Sequence, residues 1–410
     1  MSDNPALFTD PAVLGAALPE GGRSMLAEIT AEILSKSGRL AGLIPASINR
    51  SRIQLLIQEM NSYYSNLIEG HKTLPRDIER ALAQDYSADD AQRANQHLAR
   101  AHIEVEQLIE QRWRAEPASS IHSPEFVRWI HRELYARLPE EQQISKSKSG
   151  LPYRIEPGAL RTFEVDVGAH QPPYSGALPR FMERFGALYE SREILSTEQL
   201  IALAAAHHRL AWIHPFGDGN GRVTRLHSHA WLIRNQVAGF GFWTLSRGLA
   251  RQRSEYYRRL AGADQRRRND SDGRGHLSDR GLVEFCFFLL RTMLDQIDFM
   301  SGLLDLSNLS KRMERHLQFD LIDSPARDRE RLSRLLKAAL FEGEIPRGRV
   351  GEIVGLQASA SRSIIRLAEQ EGLMNSETPK GPLALLFTSK HLDSYFPQLF
   401  QDWPFEQGDG

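Results

Sequence analysis

The chain has 410 residues, with 51 Lys+Arg against 52 Asp+Glu, a formal net charge of -1, 41% hydrophobic and 25% charged residues. This is ordinary globular composition, with room for roughly two to four domains, and it excludes general disorder and a polycation that coats nucleic acid. The only cysteine, Cys286, lies in an apolar run, so no intramolecular disulfide forms and the thiol reads as a buried hydrophobe. The first fourteen residues carry Asp3 and Asp10 and lack a basic-then-apolar leader, and the most apolar stretch, 281–300, is broken by Glu284, Arg291, Asp295 and Asp298. The expectation is a soluble cytoplasmic protein that makes no membrane contact.

Helical periodicity runs through most of the chain and strand signals are scarce. Ile53, Leu56, Ile57 and Met60 recur at helical spacing, as do Leu98, His102, Val105 and Ile109. A third stripe, Phe126, Trp129, Ile130 and Leu134, follows the capping pair Ser123-Pro124, with Glu125 in its first turn. Leu200, Leu203, Ala204 and His207 mark a fourth helix that runs into Trp212. An all-α body is the simplest architecture for such a list. The stretch 153–174 departs from it. Pro157, Gly158, Pro172 and Pro173 punctuate that stretch, and Arg161-Thr162-Phe163-Glu164-Val165-Asp166-Val167 alternates with period two. The alternation predicts a short strand or hairpin leaning on the helices. Residues 266–275 read as a polar, exposed loop. After Ser324-Pro325 come a helix over 331–341, a turn through Pro346, a short helix over 349–354 stopped by Gly355, and a helix over 359–370. Two short strands, 373–374 and 383–387, complete a winged-helix order.

One segment carries chemistry: Ile213-His214-Pro215-Phe216-Gly217-Asp218-Gly219-Asn220-Gly221-Arg222-Val223-Thr224-Arg225. A helix ends near Ile213, three glycines alternate with polar residues, and a second helix starts near Asn220 with Val223, Leu226, Ala230 and Ile233 as its apolar stripe. Free N–H groups at such a start surround an anion, and the helix dipole favours it. Arg222 and Arg225, three apart, add forked cations that suit phosphate oxygens. At a helix start they make sense when an anion or a carboxylate comes to meet them. Asp218 offers a hard oxygen for Mg²⁺, and His214 is a general base near neutral pH. Together these form a phosphoryl- or nucleotidyl-transfer set. The Walker GxxxxGK[ST] pattern and a strand-borne GxGxxG are absent. His207, His208, His227 and His229 leave a polyhistidine metal site as a rival, without HExxH or paired-cysteine spacing behind it.

From His214 to Arg225 the sequence resembles the signature of the Fic family, HPFx(D/E)GNGRxxR, at every fixed position, and the likeness extends over roughly 44–300. The resemblance implies an all-α fold with a short β-hairpin flap. It also implies transfer of AMP from ATP to a Ser, Thr or Tyr hydroxyl of a target protein, or of the chain itself, with release of pyrophosphate. By the same resemblance His214 would deprotonate the hydroxyl and Asp218 would hold Mg²⁺ against the α- and β-phosphates. Gly219, Asn220 and Gly221 would form the anion nest, Arg222 and Arg225 would grip the β- and γ-phosphates, and Phe216 would anchor the loop. Arg161, Thr162, Phe163, Glu164 and Val165 stand where the family has its flap, which clamps the target backbone by strand addition. Gln252-Arg253-Ser254-Glu255-Tyr256-Tyr257 resembles the helix beside the adenine pocket, with Gln252 where Asn is frequent. Gln252 and Tyr256 are thus candidate nucleotide contacts, although the tyrosines serve equally well as core aromatics.

Upstream, Ser65-Asn66-Leu67-Ile68-Glu69-Gly70 resembles the family's inhibitory motif, [ST]xxxE[GN]. A helix ending at Gly70 projects Glu69 from its last turn, where an acid opposes the helix dipole and calls for an outside cation. The resemblance names that cation as Arg225, with Glu69 in the place of the γ-phosphate. The expected organisation is a helical region, 1–115, carrying this inhibitory helix, a catalytic core, 116–305, and a winged-helix-like domain, 306–410. In the last, Ser361, Arg362, Ser363 and Arg366 face a DNA groove or phosphates. Nine Lys/Arg against seven Asp/Glu over 327–371 is a weak electrostatic footprint, so a protein-interaction or dimer module stands beside DNA binding. The alternative function is a nucleotide-sensing transcriptional regulator. The family also suggests a homodimer.

Overall fold

Residues 199–213 are apolar around the whole helical circumference, a pattern that belongs at the centre of a helical body. The computed structural model, which describes residues 6–44, 50–146, 150–168, 170–190, 194–321 and 324–401, places them there. In chain order the elements begin with α1 (Ala6–Thr9), α2 (Arg23–Leu43), α3 (Arg50–Ile68), α4 (Pro75–Leu82), α5 (Asp90–Ala115) and α6 (Pro124–Tyr135). A hairpin of β1 (Ile144–Lys146) and β2 (Pro152–Arg154) follows, then α7 (Leu178–Tyr189), α8 (Gln199–Ile213), α9 (Asn220–Arg234), α10 (Leu245–Arg251), α11 (Arg253–Asp264) and α12 (Asp279–Leu304). The chain continues through α13 (Leu306–Phe319), α14 (Ala326–Glu342), α15 (Val350–Val354), α16 (Ala358–Gln370), β3 (Met374–Asn375), β4 (Ala384–Leu385) and α17 (Leu392–Tyr395).

Every residue of α8 except Gln199 and Ala211 is buried, enclosed by α7, α9, α11, α12 and α2. The 26-residue α12 lies along α2, α11, α8 and α10 and acts as a long brace. On the other side α3 packs against α10 and α5, and α5 against α4, α6 and α9. The amphipathic stripe of α3 is legible only up to Met60: from there to Ile68 every residue is buried, because the helix is enclosed on all sides. One hydrophobic core cluster extends from Phe8 to Leu399 and includes residues of all three expected regions. Ser123 caps α6 as its sequence predicts, its hydroxyl accepting from the Phe126 amide at 3.1 Å. No described helix is long and apolar enough to cross a membrane.

Beyond α12 the order is helix, turn, helix, hairpin. Helix α14 packs on α15 and α16, Gly355 ends α15 in the left-handed region (φ 69°), and β3 pairs antiparallel with β4, Met374 opposite Leu385. Ile345 bridges to Leu383 and ties the turn to that hairpin.

The expected strand over 161–167 does not form. Apart from an isolated bridge between Val167 and His170, the described part of this segment is irregular, and the hairpin stands earlier, with Ile144 opposite Arg154. The period-two burial has another cause. Arg161 turns inward and donates from Nε to the His214 carbonyl (3.0 Å), from Nη1 to the Phe163 carbonyl (2.9 Å), and also to the Pro173 carbonyl. Its amide donates to the Pro215 carbonyl at 2.9 Å. The segment is pinned to a loop, and among the described residues it pairs with no strand.

Candidate active site

The site is built where the C-terminus of α8 meets the N-terminus of α9. Helix α8 stops because His214 adopts φ 48° and ψ 60°, a left-handed conformation that costs a non-glycine residue roughly 1–2 kcal/mol and persists only when its surroundings impose it. Arg161 on the His214 carbonyl and the buried Phe216 ring supply that constraint. Phe216 stacks on His131 with centroids 4.0 Å apart and planes 10° apart. Asn220 then closes the turn: Oδ1 accepts from the Phe216 amide and Nδ2 donates to the Phe216 carbonyl, both at 2.9 Å.

Each glycine of the loop makes room for one approach. A Cβ at Gly217 would lie 2.9 Å from the Tyr153 ring, whose hydroxyl donates to the Gly217 carbonyl at 2.6 Å. At Gly219 (φ 78°) a Cβ would meet the Tyr135 ring at 2.6 Å. At Gly221 it would overlap the carboxylate of Glu69. The last of these places an anion directly against the first turn of α9.

Glu69 arrives there because α3 ends in a Schellman motif. The Gly70 amide donates to the Leu67 carbonyl (2.9 Å) and the His71 amide to the Asn66 carbonyl (3.0 Å), with Gly70 at φ 87°. Glu69 is the capping residue of that turn, one helical turn beyond Ser65 and on the same face. Arg225 binds both. Its Nε donates to Ser65 Oγ (2.9 Å), and its Nη2 donates to the Ser65 carbonyl (2.8 Å) and to Glu69 Oε1 (2.7 Å). Burial alone would raise the Glu69 pKa; the guanidiniums of Arg225 and Arg222 outweigh it and hold the carboxyl below its usual value.

Arg222 is 4% exposed and donates to the Tyr135 hydroxyl at 3.2 Å, yet its Nε and Nη1 have no partner. Buried donors of a permanent cation left open in this way suit a phosphate. The Asp218 carboxylate lies 3.8 Å from Arg222 Nη2, is half exposed and accepts from the Gly219 amide at 2.6 Å. Burial pushes the His214 imidazole down to about 4, with His170 and Arg161 adding to the effect, so it is neutral at physiological pH.

Other expected residues fall elsewhere. Tyr256, expected beside the adenine pocket, is 3% exposed and its hydroxyl lies 2.8 Å from His207 Nε2, which makes it a core residue; the neighbouring Tyr257 is the exposed one. Gln252 stands at the N-cap position of α11 without a side-chain capping bond, and Arg253 reaches back to the Ile68 carbonyl at 3.0 Å. The side chain of Asn220 is spent on Phe216, so only its backbone faces the nest. Thr162 and Glu164 are exposed; Glu164 accepts from Ser175, and Phe163 packs on Tyr153 with centroids 4.5 Å apart. Val165 is half-buried. The four histidines do not converge: His207 bonds Ser228 and Tyr256, His208 bonds Asp264, His227 bonds the Ile121 carbonyl, and His229 lies against the Phe240 ring with centroids 5.0 Å apart. Among the described residues no cluster of three or more His, Cys, Asp or Glu forms a metal site. Tyr135, Tyr153 and His170 escaped the sequence reading; the alternating glycines announce that something approaches, not what.

Residues 121–232 match the model of the Fic/DOC family. The chain carries a Fic domain. It is 35% identical over 133 residues to the protein adenylyltransferase Fic of Drosophila mojavensis, covering 32% of this chain and 25% of that protein. It is 39% identical over 111 residues to the protein of the same name from Drosophila grimshawi, covering 27% and 22%. The match thus spans about a quarter of the length of these curated relatives. In fold the chain is similar to a Fic family protein from Desulfovibrio desulfuricans (TM-score 0.51, 17% identity, 90% of this chain and 98% of that one). It is also similar to a Fic domain-containing signaling protein from Bacteroides thetaiotaomicron (TM-score 0.50, 20% identity, 67% and 95%). The Fic signature of the chain is the loop between α8 and α9.

Replacing Asn220 with Ala strands a buried Phe216 amide and carbonyl. The expected cost is about 1–3 kcal/mol, read as a lower denaturant midpoint at unchanged slope.

Proposed function

We propose that the chain is an autoinhibited protein adenylyltransferase that moves AMP from ATP to a Ser, Thr or Tyr hydroxyl of a target protein or of itself. The observation that carries the reading is the Glu69 carboxylate against Gly221 and Arg225, an internal anion in a nest suited to phosphate. The neutral His214 imidazole accepts the hydroxyl proton, the oxygen attacks the α-phosphorus, and the bond to the β-phosphate breaks with release of pyrophosphate. Arg222, with its two open donors, meets the β-phosphate, and the α9 N-terminus supplies backbone N–H groups to the same charge. Asp218, half exposed beside these donors, would hold Mg²⁺, which when bound neutralises phosphate charge. Glu69 occupies the place of the γ-phosphate and takes up Arg225, so ATP enters with its α-phosphate turned from in-line attack. The hairpin β1–β2 replaces 161–165 as the target-docking flap. Its Tyr153 holds the Gly217 carbonyl, and Ile144 is 56% exposed on a strand free to pair with an extended peptide.

A second reading has one observation behind it. The face of α16 bearing Arg362, Ser363 and Arg366 is exposed in a helix-turn-helix-hairpin order, as in a winged helix that reads DNA. A homodimer remains part of the proposal.

Incubation with α-labelled ATP and Mg²⁺, followed by intact mass, tests the first reading. Glu69→Gly is expected to raise transfer by about 10- to 100-fold, the equivalent of a charge-assisted bond of ~1.5–3 kcal/mol. His214→Ala should cost about 10²–10⁴-fold in that background; no label in either variant would sink the proposal. Because the imidazole is depressed, it is the competent base above about pH 4. In the Glu69→Gly protein kcat at saturating ATP should therefore show no acid limb near the free-histidine value of about 6.5. An inflection there that vanishes with His214 would contradict this. The second reading predicts a salt-dependent shift of duplex DNA by the full chain, lost in Arg362→Ala/Arg366→Ala.

A further inference from the structure

The inhibitory helix has a second attachment, on the face turned away from Arg225. Tyr64, immediately before Ser65, is fully buried, and its hydroxyl donates to the Leu399 carbonyl (3.0 Å) and accepts from the Gln401 amide (2.7 Å). Tyr63 meets Phe400 edge-to-face with centroids 5.5 Å apart. Arg247 on α10, 2% exposed and 3.5 Å over the Phe299 ring, donates to the Gln398 carbonyl at 3.0 Å. Residues 398–401 thus form a strap whose backbone is read by buried side chains, with Gln398 in the left-handed region (φ 64°) and Leu399 1% exposed. A second grip lies at the other end of the same helix, where Arg52 donates to Asn375 Oδ1 on β3 at 2.8 Å.

None of these bonds is needed to shape the nest, the loop or His214. They bear on the part of α3 that delivers Ser65 and Glu69. A helix is stiff along its axis, so a shift at Tyr63 and Tyr64 carries Ser65 with it and moves Glu69 one turn on. We propose that Tyr64 and the 398–401 strap are positioning elements of the brake: the C-terminal unit holds α3 at the register that puts Glu69 on Arg225, and loosening the strap releases it. This rests on the reading of Glu69 as the inhibitor. It adds the input: whatever displaces the C-terminal strap raises transfer at a site on the opposite face of α3.

The test uses full-length Tyr64→Phe, which removes the hydroxyl from the strap, and Phe400→Ala, which removes the ring against Tyr63. Two readouts are taken, amide hydrogen exchange at 66–71 and AMP transfer, each with Glu69 present and in the Glu69→Gly background. The expected result is faster exchange at the Gly70 and His71 amides, a rise in transfer of roughly five-fold or more where Glu69 is present, and no rise in the Glu69→Gly background. Unchanged exchange in both variants would overturn the coupling, as would an equal rise in the two backgrounds, which places the effect on the catalytic loop. If Glu69→Gly transfers no AMP at all, the enzymatic reading fails, and the exchange data still decide whether the strap holds the helix end.

Discussion

A guanidinium that is 4% exposed needs an anion, and the arrangement of the active site follows from how Arg225 finds one. Arg225 sits in the second turn of α9, still near the end where the helix dipole disfavours a positive charge. Its partners come from a different helix end, that of α3, where the dipole opposes a negative one. Glu69 and Arg225 are each badly placed on their own helix and well placed for each other. The pair joins the N-terminal third of the chain to the loop between α8 and α9, and Ser65 adds its hydroxyl and carbonyl oxygens to the same guanidinium.

The loop between α8 and α9 is held by a separate set of contacts. Its polar groups are turned inward on one another: Asn220 on Phe216, Arg161 on His214, Tyr153 on Gly217. The left-handed His214 is thereby held against its own preference, and its imidazole stays where burial keeps it neutral. Arg222 is the exception in this satisfied environment. Among the described residues its buried Nε and Nη1 have no hydrogen-bond partner.

Two sets of contacts share α3 but use different faces of it. Ser65 and Glu69 look toward α9, while Tyr63 and Tyr64 look toward the strap and α10. Continuous burial from Met60 to Ile68 is the physical sign of a helix clamped between two masters.

The sequence by itself determined the helical body, the caps at Ser123 and Gly70, the motif from His214 to Arg225, and the chemical need of Glu69 for a cation. These are local matters: hydrophobic period, turn chemistry, and charge set against a helix dipole are written in neighbouring residues. What only the tertiary structure decided is who meets whom. The alternation over 161–167 is real, but its cause is a buried arginine rather than a strand, because pairing depends on a neighbour the segment never acquires. Tyr256 went to the core and Tyr257 to the surface, a choice made by His207 49 residues away. Asn220 turned from the nest to the Phe216 backbone, and the strap found Tyr64 across 335 residues. Contacts of that kind carry no period and no local composition, so they become visible only when packing has brought the two ends together.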